Sequence, residues 1–230
     1  MKRLFLFLFG SALAITSMAQ SDPCTWSLIP HVGVSISNST NNYIQTMNGE
    51  SSSNSTFRSG FVGGVEVRYQ SSDCLAISAG LNYTQAGWAY DDKDLGVDDK
   101  GKGTIFHDAN YRLNYLDLPL TAHFFVVNGL AVNIGLQPSF MLNGNTKFEF
   151  QTYTVDKEGK RTFTENEVLS GDLSKEAFKE FVLSVPLGLS YEYQNVVLDA
   201  RYVFGLTKVM NFLNGKNRMI TLTVGYKFDL

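Results

Sequence analysis

The chain has 230 residues, of which 44% are hydrophobic and 18% are charged, and its formal net charge is −3. This negative balance, without any cluster of Lys and Arg after the first few residues, argues against a nucleic acid as a partner. The 17 Phe, 11 Tyr and 20 Gly beside 5 Pro favour β structure, and a chain of this length can form one all-β domain.

The first residues have the pattern of a secretory signal peptide. Two basic residues precede an apolar run over 4–15, and Ser17 and Ala19 supply the small residues typical of a cleavage site. The apolar run is shorter than the ~20 residues that a membrane-spanning helix needs. The sequence therefore predicts a cleaved signal peptide over 1–19 and a single exported domain over 20–230.

Apolar and polar residues alternate along most of the exported part of the chain, which is the period of a β-strand. The breaks in this alternation fall at clusters of Gly, Ser, Asn and Asp, which favour turns. Eight strands are predicted, over 25–37, 57–69, 74–90, 111–127, 130–143, 181–193, 196–207 and 218–228.

The connections between these strands alternate in length. Short turns over 70–73, 128–129 and 194–195 alternate with long polar segments, the longest of which covers 144–180. Outer-membrane barrels have short periplasmic turns and long extracellular loops, whereas a soluble β protein has no reason to sort its loops in this way. The pattern predicts an all-β, eight-stranded antiparallel up-and-down transmembrane barrel in the cell outer membrane. Alternation on either side of 156–160 also predicts a hairpin that stands beyond the membrane.

The two faces of the predicted strands differ in chemistry. One face carries uninterrupted apolar residues, for example from Leu116 to Val126 and from Leu130 to Phe140, and the other mixes small polar residues with a few charges. A basic residue on the lipid-facing side costs ~2–4 kcal/mol at the midplane, so the apolar face is predicted to contact lipid. Eight strands leave a lumen that side chains fill, which disfavours an open pore. The charges predicted to neutralise one another inside the periplasmic half are Glu66, Arg68, Glu192, Asp199, Arg201 and Lys227.

Two cysteines, Cys24 and Cys74, remain in the exported part of the chain, and an oxidising periplasm favours a disulfide between them. Both precede strands at the same predicted rim. The first and third strands of a meander are ~9.6 Å apart, whereas bridged Cα atoms lie within ~7 Å. The predicted disulfide therefore requires the segment before the first strand to bend across the second.

Three segments resemble the PorT-like outer-membrane β-barrel family. They are "NYLDLPLTAHFF" over 114–125, "FVLSVPLGLSYEY" with "VVLDARYVFGLTKV" over 181–209, and "ITLTVGYKF" over 220–228. The resemblance implies an eight-stranded outer-membrane barrel, in a family whose name-giving member is associated with protein secretion, and it carries over no catalytic residue. It also implies that Tyr226 and Phe228 provide a signal for the barrel-assembly machinery, although two residues follow Phe228.

No pattern of residues predicts catalysis, a cofactor or a metal site. His31, His107 and His123 are widely spaced along the chain. The acidic loop that contains Asp92, Asp94 and Asp98 lacks the late Glu of a calcium-binding loop, so a solvated loop is favoured over a calcium site.

Three functions stay open on the sequence. The leading one is a non-enzymatic barrel that binds a protein partner through its extracellular loops or periplasmic rim, or that assists secretion or envelope assembly. The alternatives are a lipid-modifying barrel enzyme and a soluble, lipocalin-like periplasmic binder. The predicted partners are the lipid bilayer and the barrel-assembly machinery, with no nucleic acid.

Overall fold

The structure is a computed structural model of the chain. It describes residues 21–40, 43–45, 52–98, 100–156, 158–164, 166–173, 178–211 and 214–230. The signal peptide predicted over 1–19 lies outside these residues and stays a prediction. Among the described residues, no helix is both long enough and apolar enough to cross a membrane.

Antiparallel strands make up almost all of the regular structure in the described residues. The strands are β1 (Thr25–Ser39), β2 (Tyr43–Gln45), β3 (Ser52–Thr56), β4 (Arg58–Ser72), β5 (Leu75–Tyr90), β6 (Lys93–Val97), β7 (Lys102–Asp117), β8 (Leu120–Val127), β9 (Leu130–Val155), β10 (Arg161–Phe163), β11 (Glu167–Asp172), β12 (Phe181–Tyr193), β13 (Val196–Gly205), β14 (Asn217–Tyr226) and β15 (Phe228–Asp229).

Eight strand positions close into a barrel. The order around it is β1, β4, β5, then β7 with β8, then β9, β12, β13 and β14. β14 pairs with β1 from His31↔Gly225 to Ser39↔Asn217, so the first and last strands of the barrel meet. Closure leaves no unpaired edge within the membrane. The predicted eight-stranded antiparallel up-and-down barrel is confirmed.

The fourth barrel position is interrupted, so the prediction of one strand over 111–127 is wrong in detail. β7 and β8 are separated by Leu118 and Pro119. A proline has no N–H to contribute to the ladder. Bonding continues across the break, because Leu118 donates its N–H to the carbonyl of Pro138, and Gly80 donates to that of Pro119, both at 2.8 Å.

Two barrel strands continue far beyond the membrane. β9 extends to Val155 and pairs with the outer part of β7 as far as Lys102↔Thr154. β10 and β11 pair with this part of β9, and β6 pairs with the outer part of β7. The hairpin predicted around 156–160 is confirmed, and most of its flanking sequence is strand. We call β6, β10, β11 and the outer parts of β7 (102–110) and β9 (144–155) the extracellular sheet.

The apolar faces of the barrel strands point outward, as predicted. Leu198 is 52% exposed and Leu222 is 46% exposed, whereas their neighbours Val197 and Thr221 are buried. An apolar outer surface is stable only against the acyl chains of a membrane. The lipocalin-like alternative is therefore wrong, because a soluble barrel would turn this surface inward.

Side chains fill the interior of the barrel. The extracellular half holds an apolar core that includes Trp88 and Leu113, and Phe178 and Val209 cover this core from the segments outside β12 and β13. Lys179 donates its N–H to the carbonyl of Val209 at 2.8 Å, which ties the two covering segments together. Small cavities of about 30 and 20 Å³ remain in the lumen, the first beside the charged residues Glu66 and Arg68 and the second against the apolar core. Each has room for about one or two waters.

Candidate functional site

Charged side chains form one buried cluster in the periplasmic half of the lumen, which we call the charge network. Residues two apart on a strand share a face, so β4 and β13 each place an acid beside a base. β12 and the segment after β14 add one residue each. The structure brings together all six residues that the sequence singled out, namely Glu66, Arg68, Glu192, Asp199, Arg201 and Lys227.

Arg68 lies at the centre of the charge network. Its guanidinium donates to Glu192 and lies 3.0 Å from a carboxylate oxygen of Glu66. The other oxygen of Glu192 accepts from Lys227 Nζ at 3.2 Å, and the other oxygen of Glu66 accepts from Arg201 at 3.1 Å. The ion pairs therefore form a continuous chain across the lumen.

Because the charge network is buried, each of its charges depends on a close partner of opposite charge. Glu192 is 1% exposed and Arg68 is 3% exposed. Moving such charges out of water costs several kcal/mol each, which only close partners offset. The chain ends at Asp199, which lies 2.7 Å from Arg201 and accepts from Asn133 Nδ2 at 3.0 Å. Three acids thus face three bases. The network links β4, β12, β13 and the segment after β14, and Asn133 joins it to β9.

Ser78, His123 and Asn133 form a hydrogen-bonded row beside the charge network. His123 Nε2 lies 2.8 Å from Ser78 Oγ, and its Nδ1 lies 2.8 Å from Asn133 Oδ1. The order of groups resembles a nucleophile, a base and an orienting side chain. However, the three side chains are at most 3% exposed inside the closed barrel. Because all three side chains are buried, their hydrogen bonds satisfy polar groups inside the barrel.

The other two histidines are bound elsewhere. His31 Nδ1 lies 3.2 Å from the carbonyl of Ile29 in the lumen, and His107 Nδ1 lies 3.1 Å from Asp92 in the extracellular sheet. Over the described residues, no group of three or more His, Cys, Asp and Glu side chains is placed to hold a metal ion.

The predicted disulfide is not formed. Cys24 and Cys74 are both free and exposed. The N–H of Cys24 donates to the carbonyl of Gln70 at 2.7 Å, and Cys74 Sγ lies 3.5 Å from Ser72 Oγ in the turn before β5. β4 lies between β1 and β5 at this rim. The segment before β1 therefore follows the edge of β4 and does not bend across it.

Tyr226 and Phe228, the residues of the expected assembly signal, lie on the outer surface of the barrel. Their rings are 4.7 Å apart and the two residues are 48% and 49% exposed. Phe228 pairs with Leu28, and the carboxylate of Asp229 accepts from Ser27 Oγ at 2.7 Å. The chain after Phe228 thus extends the sheet, and recognition of these aromatics by the assembly machinery stays a prediction.

Three side chains fasten one face of the extracellular sheet, and we call them the aromatic clamp. The ring of Tyr153 lies across Gly103 of β7, where any side chain would clash with it. Its hydroxyl donates to Asp94 of β6 at 2.9 Å. Arg161 of β10 stacks 4.6 Å from the centre of the same ring and donates to Asp94 at 2.9 Å. The clamp, formed by Tyr153, Asp94 and Arg161, therefore joins four strands.

The acidic residues of this region have structural partners. Partial desolvation opposes ionisation of Asp94, but hydrogen bonds from the Gly96 N–H, Tyr153 and Arg161 outweigh it and lower the pKa of Asp94. Asp98 accepts from the N–H of Lys102 at 2.8 Å, and this bond contributes most to lowering the pKa of Asp98. Both carboxylates thus stabilise the sheet and its turn. Sequence reasoning missed the clamp because nothing in the chain links Asp94 to a tyrosine 59 residues later.

Aromatic rings cover the opposite face of the extracellular sheet and continue into the barrel. Phe106 of β7 lies 6.4 Å from Phe150 and 6.2 Å from Phe148, both of β9, measured between ring centres. Tyr111 follows at 5.6 Å from Phe148 and stacks at 4.9 Å on Trp88 of the apolar core. We call this row the aromatic ladder. It packs the extracellular sheet onto the core of the barrel.

Small outer-membrane barrels of known structure resemble the chain. Ail, the attachment invasion locus protein of Yersinia pestis, is 14% identical over 90% of this chain and 100% of its own, with a TM-score of 0.42. Neisserial surface protein A is 15% identical over 88% of this chain and 97% of its own, with a TM-score of 0.42. OprG from Pseudomonas aeruginosa is 12% identical over 90% of this chain and 98% of its own, with a TM-score of 0.39. No curated protein matches the sequence.

One family model matches most of the chain. It is described as an outer membrane protein beta-barrel domain and matches residues 18–211, which include every barrel strand except β14. The outward apolar surface and the closed antiparallel barrel are the features that such a domain requires. The chain therefore belongs to the outer membrane protein beta-barrel domain family and is an integral protein of the outer membrane.

Proposed function

We propose that this protein is a non-enzymatic barrel that binds another protein through its extracellular sheet. The observation that carries the proposal is the length of β9, which runs for 26 residues from Leu130 to Val155. A membrane crossing uses only about 9–11 residues of a tilted strand. The part of β9 over 144–155, close to half of the strand, thus serves the structure outside the membrane.

The extracellular sheet is built to present a fixed surface. The aromatic clamp holds one face and the aromatic ladder the other, so the sheet is anchored to the barrel. Beyond these contacts it displays apolar side chains to water, with Phe163 at 49%, Val168 at 57% and Leu169 at 60% exposure. Ordered apolar side chains that are exposed to water outside the membrane favour an interaction site.

A lipid-modifying enzyme has less support. Such an enzyme needs its reactive groups within reach of lipid, whereas Ser78 and His123 are sealed inside the barrel. The apolar core and its covering segments separate this row from the extracellular side. The buried polar groups therefore support a structural role.

The identity of the partner rests on the family resemblance. The segments that resemble the PorT-like family favour a partner in a secretion or envelope-assembly complex, with the barrel as an accessory. Alternatively, the partner protein binds at the periplasmic rim of the barrel. The barrel-assembly machinery is proposed to act earlier, when it recognises Tyr226 and Phe228 during insertion.

Replacing the extracellular hairpin tests this function. The N–H of Leu173 donates to the carbonyl of Gly144 at 2.9 Å, so an Asn-Gly turn can join these residues in place of 145–172. Intact cells carrying either form are treated with a membrane-impermeant, amine-reactive crosslinker. Lysines outside the hairpin, such as Lys93 and Lys102, remain reactive in both forms.

We expect the shortened barrel to assemble but to lose the crosslinked partner. Heat-modifiable migration in a gel reports assembly, because a folded barrel migrates differently before boiling. Unchanged crosslinks in the shortened form would contradict the proposal and place the partner at another surface. Absence of any crosslink in the unaltered protein would favour a purely structural role.

A further inference from the structure

Within the described residues, β11 lies at an unpaired edge of the extracellular sheet. β11 pairs with β9 from Glu167↔Phe150 to Asp172↔Asn145, and in the described part of the chain no strand pairs with its other side. All six residues of β11 are exposed. A free edge of this kind presents a row of backbone N–H and C=O groups that can pair with another chain.

The direction of these backbone groups follows from the neighbouring ladder. Leu173, just after β11, donates its N–H to Gly144 of β9 at 2.9 Å. Antiparallel pairing alternates between bonded and non-bonded pairs, so the odd-numbered residues of β11 bond to β9. The N–H groups of Val168, Ser170 and Asp172 therefore point away from the sheet and are available to a partner.

The other free edges of the extracellular sheet are protected against pairing. β6 carries Lys93 and a register shift within its five residues. β10 has three residues, and its Arg161 is held in the aromatic clamp. Charged side chains, irregularities and shortness are the usual devices that block edge pairing. β11 has no Lys, Arg or Pro, and exposes Val168 and Leu169 on opposite faces.

The charges of β11 favour some partner strands over others. Glu167 and Asp172 stand at its two ends, and no basic residue lies between them. A second copy that paired antiparallel on the same edge would bring acidic ends together, and like charges on facing strands are destabilising. A strand with Lys or Arg at its ends would instead place opposite charges against both.

We propose that the free edge of β11 accepts an extended segment of a partner protein with basic residues at its ends, which adds a strand to the extracellular sheet. This inference rests on the proposed function and names the chemistry of its partner. Main-chain hydrogen bonds provide the attachment. Val168 and Leu169 contact apolar side chains on the two faces of the added strand, and the acidic ends select the partner.

Binding of a peptide to the purified full chain in detergent tests whether the free edge of β11 accepts a strand with basic ends. The probe is a fluorescent, N-acetylated peptide of sequence Lys-Val-Thr-Val-Thr-Lys, whose two Lys have the same spacing as Glu167 and Asp172. Fluorescence anisotropy measures its Kd at low salt. The comparison peptide has Glu at both ends. We expect the Lys-ended peptide to bind at least tenfold more tightly, and equal binding of both peptides or no binding of either would overturn the proposal.

Two variants at Ser170 separate the contribution of its backbone N–H from that of its side chain. Ser170→Pro removes an outward N–H without touching the ladder to β9, whereas Ser170→Ala removes the hydroxyl and keeps that N–H. We expect Ser170→Pro to weaken peptide binding at least tenfold and Ser170→Ala to change it less than twofold. Heat-modifiable migration confirms that both variants fold. Equal binding by the two variants would contradict strand addition.

Crosslinking in intact cells separates this inference from the proposed function. If Ser170→Pro keeps the crosslinked partner that the hairpin replacement loses, strand addition at β11 is wrong and the proposed function stands. If the hairpin replacement also keeps the partner, both are wrong. Self-crosslinking of the chain that Ser170→Pro abolishes would assign the edge to a second copy and overturn the basic partner.

Discussion

The periplasmic half of the barrel and the extracellular sheet both contain β9 but bury opposite kinds of side chain. In the periplasmic half, β8 and β9 turn apolar residues outward, and the lumen encloses the charge network and the row at His123. Beyond the register shift at Asn114 and Tyr115, β7 and β9 carry the aromatic ladder on the side that joins the barrel core. The solvent on each side decides which face is buried, and the two register shifts between β7 and β9 accommodate the change.

A charged substitution on the lipid-facing surface is expected to have one of the largest effects on the barrel. We expect Leu222→Arg to block stable assembly, because a basic residue on this surface costs about 2–4 kcal/mol near the midplane. Thr223→Ser, on the lumen side of the same strand, is the control and should assemble normally. Heat-modifiable migration in gels distinguishes the two. Equal assembly of both variants would refute the assignment of the faces.

Loss of one acid from the charge network is expected to have an effect of comparable size. Glu192→Gln leaves Arg68 and Lys227 buried without this carboxylate, and removal of one partner from a buried ion pair costs about 3–5 kcal/mol. Denaturant unfolding in detergent measures the free energy of unfolding. The double variant with Lys227→Met restores the balance of charge and should recover part of the loss. No recovery would show that the pairing of these two residues is unimportant.

The smallest effect is expected in the extracellular sheet. Gly103→Ala places a methyl group against the Tyr153 ring, and overpacking of this kind costs about 1–3 kcal/mol. The barrel should remain intact while trypsin cleaves more rapidly after Arg161. Gly171→Ala is the control, since a Cβ there meets no atom within 4 Å. Equal cleavage of the two variants would show that the aromatic clamp does not stabilise the sheet.

The barrel could be predicted from the sequence because a membrane imposes a simple rule on each strand. Alternation alone located Leu198 on the outside and Asp199 on the inside, since a one-residue shift would expose a charge to lipid. Alternation did not show the break at Leu118 and Pro119, because the side chains on either side of it still alternate. Outside the membrane no lipid requires one face of a strand to be apolar, so the sequence did not predict the full length of β9.

The extracellular contacts depend on distances along the chain that a sequence does not display. Asp94, Tyr153 and Arg161 meet only because β6, β7, β9 and β10 are neighbours. The same applies to Cys24 and Cys74, whose separation depends on the strand between them. Residue type alone predicted a disulfide between Cys24 and Cys74 that is not formed. It did not predict the hydrogen bonds of Asp94 with Tyr153 and Arg161.

The charge network has a consequence for the order in which the protein is completed. Glu66 and Arg68 come from β4, whereas Glu192, Asp199, Arg201 and Lys227 come from the final third of the chain. A partly inserted barrel that lacks the last strands would hold Glu66 and Arg68 paired with each other but without Arg201 and Glu192, their partners on the later strands. Insertion and electrostatic neutralisation are therefore completed together, which penalises premature release of an unfinished barrel.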